Sequence, residues 1–207
     1  MDFQHIWLPA ADGADQALTL LLLHGTGGDE NDLIPIGKMF GKHINLLSVR
    51  GKVAENGMNR FFRRFAEGIF DVADLKFRAD ELNTFLSEAA EKYTFNPEKI
   101  IALGYSNGAN IAGGLLLQHP ETLAGAILLR AMIPFEAEKN WQLNGTKILT
   151  IAGKNDPLTT SQESEKWAET LKNAGGKVTP KTLNTGHNLT QEDIQIALEW
   201  FNIELSE

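Results

Sequence analysis

The chain has 207 residues, of which 43% are hydrophobic and 22% charged, a composition typical of a globular protein with one well-buried core. A net charge of −8 disfavours nucleic acid as the main partner, and the absence of cysteine excludes disulfides, thiolate nucleophiles and Cys-ligated metals. The first residues lack the pattern of a signal peptide, and apolar runs such as 20–23 are too short to span a bilayer, so we expect a cytoplasmic protein without membrane insertion.

Seven apolar segments with the composition of β-strands recur along the chain, the first weaker than the others. They lie at 3–8, 18–23, 44–49, 99–103, 123–129, 147–152 and 177–183. Solidly apolar strands that alternate with helical patterns predict a mostly parallel sheet covered on both faces. Pro180 cannot donate to a central ladder, so its strand should lie at an edge. We predict one doubly wound α/β domain over 1–207, with about seven strands and helices on both faces.

Three of the intervening helices have recognisable start signals. The clearest helix covers 72–93, where apolar residues repeat at helical spacing after Asp71, a suitable N-cap. Thr160 and Glu163 have the pattern of a capping box, and Thr190 opens the last helix in the same way.

A glycine-rich segment, 24–30, follows the strand at 18–23 and resembles a nucleotide-binding loop at first sight. Glu30 occupies the position where a dinucleotide loop needs its third glycine, and no Gly-Lys-Ser/Thr follows as a P-loop would require. The sequence therefore predicts no nucleotide cofactor.

The segment 50–70 is basic in an acidic chain, with a net charge of +3 from five cations and two anions. One interpretation is that it attracts a substrate bearing a carboxylate or phosphate, with Phe61 and Phe62 against an apolar portion. The other is that the arginines brace a long loop through ion pairs with the acidic helix that begins at Asp71. We favour the second interpretation, because arginine clusters in long loops are commonly structural or solvated.

The pentapeptide Gly104-Tyr105-Ser106-Asn107-Gly108 directly follows the apolar strand at 99–103 and matches G-x-S-x-G. In this nucleophile elbow a strand turns sharply into a helix and leaves a serine hydroxyl exposed at the bend. The two glycines are needed because strand and helix come so close that a Cβ at either position would collide. The motif makes Ser106 the candidate nucleophile.

A serine hydroxyl needs a base, and only His119 and His187 follow Ser106 in the chain. His119 should lie near the far end of the helix that Ser106 opens, about 17–20 Å away, and cannot reach it. His187 lies in the loop after the strand at 177–183, at the carboxyl edge of the sheet, where ligands bind in such folds. His187 is therefore the candidate base.

The acid that orients the base should lie between Ser106 and His187, just beyond a strand. Asp156 meets this condition, because it follows the strand at 147–152. Glu136 and Glu138 also follow a strand, in a more open and polar stretch, and remain alternatives.

A developing oxyanion needs two backbone N–H donors. One is Asn107, at the N-terminus of the helix after the nucleophile, where the helix dipole also favours negative charge. The other is expected from the loop after an earlier strand, with the Thr26 amide as the candidate. His24 precedes the nucleophile, so we expect it to orient this loop and not to act as the base.

The connection 130–146 between two predicted strands is too short for a helical cap and predicts an open, shallow cleft. Its walls should come from 50–70 and from the residues after the strand at 123–129. The candidate substrate contacts are Arg60, Phe61, Phe62, Met132 and Ile133.

These motifs, from 20–27 through the elbow to Asp156 and His187, resemble the carboxylesterase/phospholipase branch of the α/β-hydrolases, which includes acyl-protein thioesterase-like serine esterases. The segment 50–64 is similar to a narrower bacterial subgroup, hydrolases linked to quinone stress. The resemblance covers nearly the whole chain and implies an α/β-hydrolase fold without a cap domain. Dienelactone hydrolases share the fold but use a cysteine nucleophile, which this chain lacks.

The sequence thus predicts a serine hydrolase of a small carboxylic ester or thioester that uses neither a metal nor another cofactor. Lysophospholipase or acyl-thioesterase activity is the nearest alternative, and a non-catalytic ligand-binding protein on the same fold is a second. A homodimer is compatible with this prediction.

Overall fold

The structure, a computed structural model, describes residues 2–135 and 142–205. In chain order the strands within these ranges are β1 (His5–Leu8), β2 (Thr19–Leu23), β3 (Asn45–Val49), β4 (Val53–Glu55), β5 (Met58–Arg60), β6 (Arg64–Ala66), β7 (Ile69–Phe70), β8 (Ile100–Tyr105), β9 (Gly125–Leu129), β10 (Lys147–Gly153) and β11 (Lys177–Leu183). The helices are α1 (Ile34–Lys38), α2 (Val72–Tyr93), α3 (Asn107–Gln118), α4 (Ser161–Asn173) and α5 (Gln191–Glu204), with one 3-10 turn at Pro97–Lys99.

Seven of these strands form one sheet in the order β1-β3-β2-β8-β9-β10-β11. All neighbours are parallel except β1, which runs antiparallel to β3. The seven strands are those that the apolar segments predict. Pro180 lies in β11 at the sheet edge, as expected for a residue without a backbone donor.

Two hydrophobic clusters cover the two faces of the sheet. Because side chains alternate along a strand, Leu21 and Leu23 of β2 face one cluster while Leu20 and Leu22 face the other. The first cluster is closed by α2, α3 and α4, and the second by α1 and α5. Helices on both faces confirm the doubly wound prediction.

The three predicted helix starts are confirmed. The side chain of Asp71 accepts a hydrogen bond from the backbone of Asp74 and caps α2. Capping boxes open α4 at Thr160 and α5 at Thr190. These caps fix where each helix begins relative to the strand before it.

Two short hairpins in the segment 50–70 were not predicted. Strands β4 and β5 pair across a turn at Asn56 and Gly57, both with positive φ, and β6 pairs with β7. Strands of two or three residues are too short to show an apolar period, although Asn-Gly is a typical hairpin turn.

The described part of the chain contains no cap domain, and the connection between β9 and β10 is only the segment 130–146. None of the helices in ranges 2–135 and 142–205 is long and apolar enough to cross a membrane. The carboxyl ends of β2, β8, β9, β10 and β11 therefore meet at one uncapped edge.

Candidate active site

Ser106 is held in a strained backbone conformation between β8 and α3. Its φ of 52° and ψ of −112° lie in a region of backbone conformation that residues other than glycine rarely adopt. A Cβ on Gly104 would lie 2.6 Å from the carbonyl oxygen of Gly108, and a Cβ on Gly108 would overlap the carbonyl oxygen of Leu23. Both glycines of the motif are thus required by close backbone approach.

Ser106, His187 and Asp156 come together at the carboxyl edge of the sheet. The Ser106 hydroxyl is 2.9 Å from His187 Nε2 and is placed to donate to it, and His187 Nδ1 is 2.8 Å from Asp156 Oδ2. Each residue follows a different strand, β8, β11 and β10 respectively. The Asp156 side chain is almost fully buried, while the imidazole is partly exposed and accessible to a substrate.

The loops that carry the acid and the base are tied to each other. Backbone N–H groups of Lys154 and Asn155 donate to the carbonyls of Leu183 and Thr185, at 2.8 and 2.9 Å. The second oxygen of Asp156 accepts the Leu158 N–H at 2.8 Å, so the turn before the helix fixes the carboxylate.

Tyr105, the residue before the nucleophile, also contacts the base. Its hydroxyl donates to the carbonyl of His187 at 3.2 Å, and the two rings lie 5.6 Å apart. Burial raises the pKa of the Tyr105 phenol, which therefore stays protonated and able to donate.

The other histidine that follows Ser106 in the chain is separate from this site. His119 Nε2 lies 2.8 Å from Asp80 on α2, which agrees with the prediction that it does not serve Ser106. Glu136 and Glu138, the alternative acids, lie outside the described residues.

The two candidate oxyanion donors follow neighbouring strands of the sheet. Thr26 follows β2, and Asn107 begins α3 directly after β8, which pairs with β2. Within the described residues neither backbone N–H donates to another protein group. An oxyanion donor must be free of such a bond, and the N-terminus of α3 adds a favourable dipole at Asn107, so both residues remain candidates.

His24 orients the oxyanion loop, the segment 24–27 that carries Thr26, as predicted. Its Nε2 accepts the Gly51 N–H at 3.0 Å, and its Nδ1 donates to the carbonyl of Gly25 at 2.6 Å. Burial lowers the pKa of His24, which keeps the ring neutral and able to accept at Nε2.

The β4–β5 hairpin supports both candidate oxyanion donors. Arg60 Nη1 donates to the Thr26 hydroxyl at 2.7 Å, and the Gly27 N–H donates to the carbonyl of Asn59 at 2.9 Å. Directly after the hairpin, the Phe61 N–H donates to the Asn107 side-chain oxygen at 2.7 Å.

The prediction that Arg60, Phe61 and Phe62 form a substrate wall is wrong. The two rings are 2% and 0% exposed and belong to the core, and the Arg60 side chain is 3% exposed. Phe61 packs on the His24 ring and Phe62 on Phe70, because the hairpins turn these side chains inward beneath the cleft. Their contribution is to support the cleft from below.

Met132 and Ile133, the other predicted contacts, are half-buried after β9. The Met132 N–H donates to the side chain of Asn110 on α3 at 2.8 Å, which fixes it beside the elbow helix. Gly68, in the β6–β7 turn, lies against the Met132 side chain. Met58 lies against Gly27 of the oxyanion loop and is 37% exposed. Apolar side chains therefore border the oxyanion loop and the elbow helix.

The five cations of 50–70 are all paired with carboxylates, which supports the bracing interpretation. Lys52 and Arg63 pair with α2 or its cap, but the other three pair within the loops. The partners are Glu30 and Asp29 for Arg50, Asp2 and Glu81 for Lys52, Glu55 for Arg60 and Arg64, and Asp71 and Asp74 for Arg63.

Arg130, at the end of β9, is a residue that sequence reasoning missed. Its guanidinium is fully buried and donates to the carbonyl of Gly186, next to His187. The available signal was an arginine directly after a solidly apolar strand, at the edge where Ser106, Asp156 and His187 also lie.

No group of three or more His, Cys, Asp or Glu side chains in the described ranges is arranged to hold a metal ion. The expectation of a reaction without metal or cofactor stays a prediction.

Comparison with known proteins places this geometry in a family. The model of the phospholipase/carboxylesterase family matches residues 10–205, almost the entire chain. The chain belongs to this family of hydrolases. The match extends over every element that carries a candidate site residue.

Individual relatives agree with this assignment. The chain is 46% identical over 182 residues to MhqD of Bacillus subtilis (strain 168), covering 88% of this chain and 91% of that protein. The crystal structure of a Bacillus cereus carboxylesterase superposes with a TM-score of 0.93 at 46% identity, covering 98% of this chain and 94% of that one. A carboxylesterase from Mesorhizobium loti gives a TM-score of 0.89 at 28% identity, with 97% and 94% covered. These matches confirm the capless α/β-hydrolase fold.

Proposed function

We propose that this protein is a serine carboxylesterase that cleaves a small, neutral ester through an acyl-serine intermediate. The observation that carries the proposal is the continuous hydrogen-bonded series from Asp156 through His187 to Ser106, with distances of 2.8 and 2.9 Å. The similar structures from Bacillus cereus and Mesorhizobium loti are both described as carboxylesterases, which supports the reaction class.

In the first half-reaction the Ser106 oxygen attacks the ester carbonyl while His187 Nε2 takes its proton. The carbonyl oxygen becomes an oxyanion and accepts hydrogen bonds from the backbone N–H groups of Thr26 and Asn107. In another serine hydrolase, loss of one oxyanion donor raises the barrier by about 2.7–4 kcal/mol. The tetrahedral intermediate collapses as His187 returns the proton to the alcohol oxygen, which leaves.

In the second half-reaction water attacks the acyl-serine, and the same groups act in reverse. His187 takes a proton from water, the oxyanion forms again, and Ser106 regains its proton as the acid departs. Asp156 holds the imidazole with Nδ1 protonated and stabilises the imidazolium that forms in each half-reaction.

The preference for a neutral substrate rests on charge and on the cleft border. Each cation of 50–70 is paired with a carboxylate, with Glu55 shared by Arg60 and Arg64, so these ion pairs weaken the attraction of the segment for an anionic group. Met58 and Met132 offer flexible apolar surface to an alkyl or aryl group. Thioester cleavage by the same groups remains the nearest alternative, and cytoplasmic location and a homodimer stay predictions.

A turnover assay with short p-nitrophenyl esters tests the proposal. Wild type should release p-nitrophenol and react with a fluorophosphonate, and Ser106→Ala should do neither. The matched control is Ser87→Ala, which removes an exposed hydroxyl on α2 and should behave as wild type. A wild-type protein that binds esters without cleaving them would favour the non-catalytic alternative, and a series of esters and thioesters would rank the substrates.

A further inference from the structure

Arg130 is a fully buried arginine to which the reaction described above assigns no task. It directly follows β9, its side chain and that of Asp193 are both 0% exposed, and its φ is 57°. A positive φ is unfavourable for an arginine and persists only where surrounding contacts hold it. The contacts that hold Arg130 lead to the loop of the candidate base.

Three of the acceptors around the guanidinium lie in the loop 185–188. Nε donates to the carbonyl of Gly186 at 2.9 Å, and Nη2 donates to the Thr185 hydroxyl at 3.0 Å and lies 3.4 Å from the carbonyl of Asn188. These acceptors stand on both sides of His187 in the chain. The guanidinium therefore fixes the backbone from which the imidazole projects.

The other face of the guanidinium is fixed to the scaffold. Nη1 and Nη2 donate to the two carboxylate oxygens of Asp193 at 2.7 and 2.9 Å, and Nη1 also lies 3.3 Å from the carbonyl of Ile151 on β10. Asp193 in turn accepts the N–H and hydroxyl of Thr190, each at 2.8 Å, at the start of α5. All five N–H groups of the arginine thus have acceptors.

The nucleophile is tied to the adjacent residue of the same strand end. The Ser106 N–H donates to the carbonyl of Leu129 at 2.8 Å, and the Arg130 N–H donates to Ile151 at 2.8 Å. The Leu129 carbonyl therefore holds the backbone of Ser106, and the side chain of the next residue, Arg130, holds the loop that carries His187.

We propose that Arg130 is a positioning residue that sets the distance between the Ser106 hydroxyl and His187 Nε2. The inference rests on the proposed function, because it assumes that His187 serves Ser106. A buried ion pair adds little net stability compared with apolar residues of similar size, so stability alone does not explain it. The planar fork of an arginine can hold the loop and Asp193 together, whereas a lysine presents its donors from one nitrogen.

The test is Arg130→Lys, which keeps the charge beside Asp193 and removes the fork. We expect kcat to fall by roughly 10²-fold with KM nearly unchanged, since small misplacement of reacting groups has effects of that size. The downfield proton resonance of the hydrogen bond between His187 and Asp156 should broaden or disappear. Asn184→Ala is the matched control, because Asn184 directly precedes the loop 185–188, is exposed and bonds only Asn155 among its described partners.

The result that overturns the proposal is a folded Arg130→Lys protein with wild-type kcat and an unchanged resonance. If Arg130→Lys does not fold, the double variant Arg130→Gln/Asp193→Asn, which leaves no unpaired buried charge, carries the same prediction. If neither folds, the pair serves fold stability and the proposal is wrong. If the wild-type protein shows no turnover, the proposed function is rejected instead. The resonance of the hydrogen bond between His187 and Asp156 would still show whether Arg130 positions His187.

Discussion

The nucleophile depends on two glycines that allow β8, α3 and β2 to approach one another. A Cβ on Gly108 would overlap backbone atoms of Leu23, which cannot move without displacing β2. We expect Gly108→Ala to lower the free energy of unfolding by about 3 kcal/mol or more, a loss typical of severe core strain. Urea unfolding measures this loss.

Gly57→Ala is the matched control for that substitution. Unlike Gly108, Gly57 has a positive φ, 78°, but an added Cβ there meets nothing within 4 Å. It should therefore cost only the conformational penalty of about 1 kcal/mol. Equal losses for the two variants would contradict the account of the elbow.

His24, in the oxyanion loop, makes the stability of the folded state depend on pH. Burial lowers its pKa below the ordinary 6.5, so below pH 6.5 the unfolded chain binds a proton that the folded chain does not. The contribution of His24 to the free energy of unfolding is therefore fully present at neutral pH, and it is lost as the pH falls from 6.5 towards the lowered pKa.

We expect His24→Gln, which keeps an acceptor for the Gly51 N–H, to lose less stability on acidification than wild type. Urea unfolding at about pH 7.5 and about pH 5.5 measures the difference. The variant His43→Gln, at a histidine outside the oxyanion loop, is the control. If His24→Gln loses as much stability between the two pH values as wild type does, this histidine does not cause the pH dependence.

At the scale of elements, the β4–β5 hairpin supports the oxyanion loop through side chains. Thr26→Val keeps the candidate N–H donor and removes the hydroxyl that Arg60 contacts at 2.7 Å. We expect kcat to fall about tenfold, equivalent to about 1.4 kcal/mol in the barrier, with little change in KM. Steady-state kinetics on a p-nitrophenyl ester measures it.

Thr84→Val is the control for Thr26→Val, since among the described residues the exposed Thr84 hydroxyl bonds only the Asp80 carbonyl of its own helix. It should leave kcat unchanged. If Thr26→Val also has wild-type kcat, the hairpin does not position the oxyanion loop.

The elements differ in how far the sequence predicts them. The sheet strands and α2 follow from local patterns, apolar runs and a capping residue, and the structure agrees with them. The sequence predicts Phe61 and Phe62 in the substrate wall because they lie in a basic loop, whereas two hairpins turn them into the core. Arg130 and its loop are more than fifty residues apart in the chain, so no local pattern joins them.

The site itself was predictable to the extent that motifs and strand order determine it. A strand-to-helix elbow at Ser106 and loops after β10 and β11 bring the three candidate residues to one edge. The partners of the cations in 50–70 were predictable only in kind, because ion pairs such as that of Lys52 with Glu81 depend on how the loop crosses α2.

For the whole molecule, a net charge of −8 and a cleft border whose cations are paired predict discrimination against anionic esters. At low ionic strength we expect kcat/KM for a neutral p-nitrophenyl ester to exceed that of a carboxylate-bearing analogue of equal length by roughly tenfold. Added salt should narrow the ratio, because it screens the field. A preference for the anionic ester would contradict the charge argument.

The central claim is that Ser106 carries the acyl group during turnover. Acid quenching of the reaction with a p-nitrophenyl ester, followed by mass spectrometry of the peptides, tests it most directly. We predict one acyl group on the peptide containing Ser106 in wild type and none in Ser106→Ala, which should also lose turnover. Undiminished turnover in Ser106→Ala, or an acyl group on a different residue, would contradict the account.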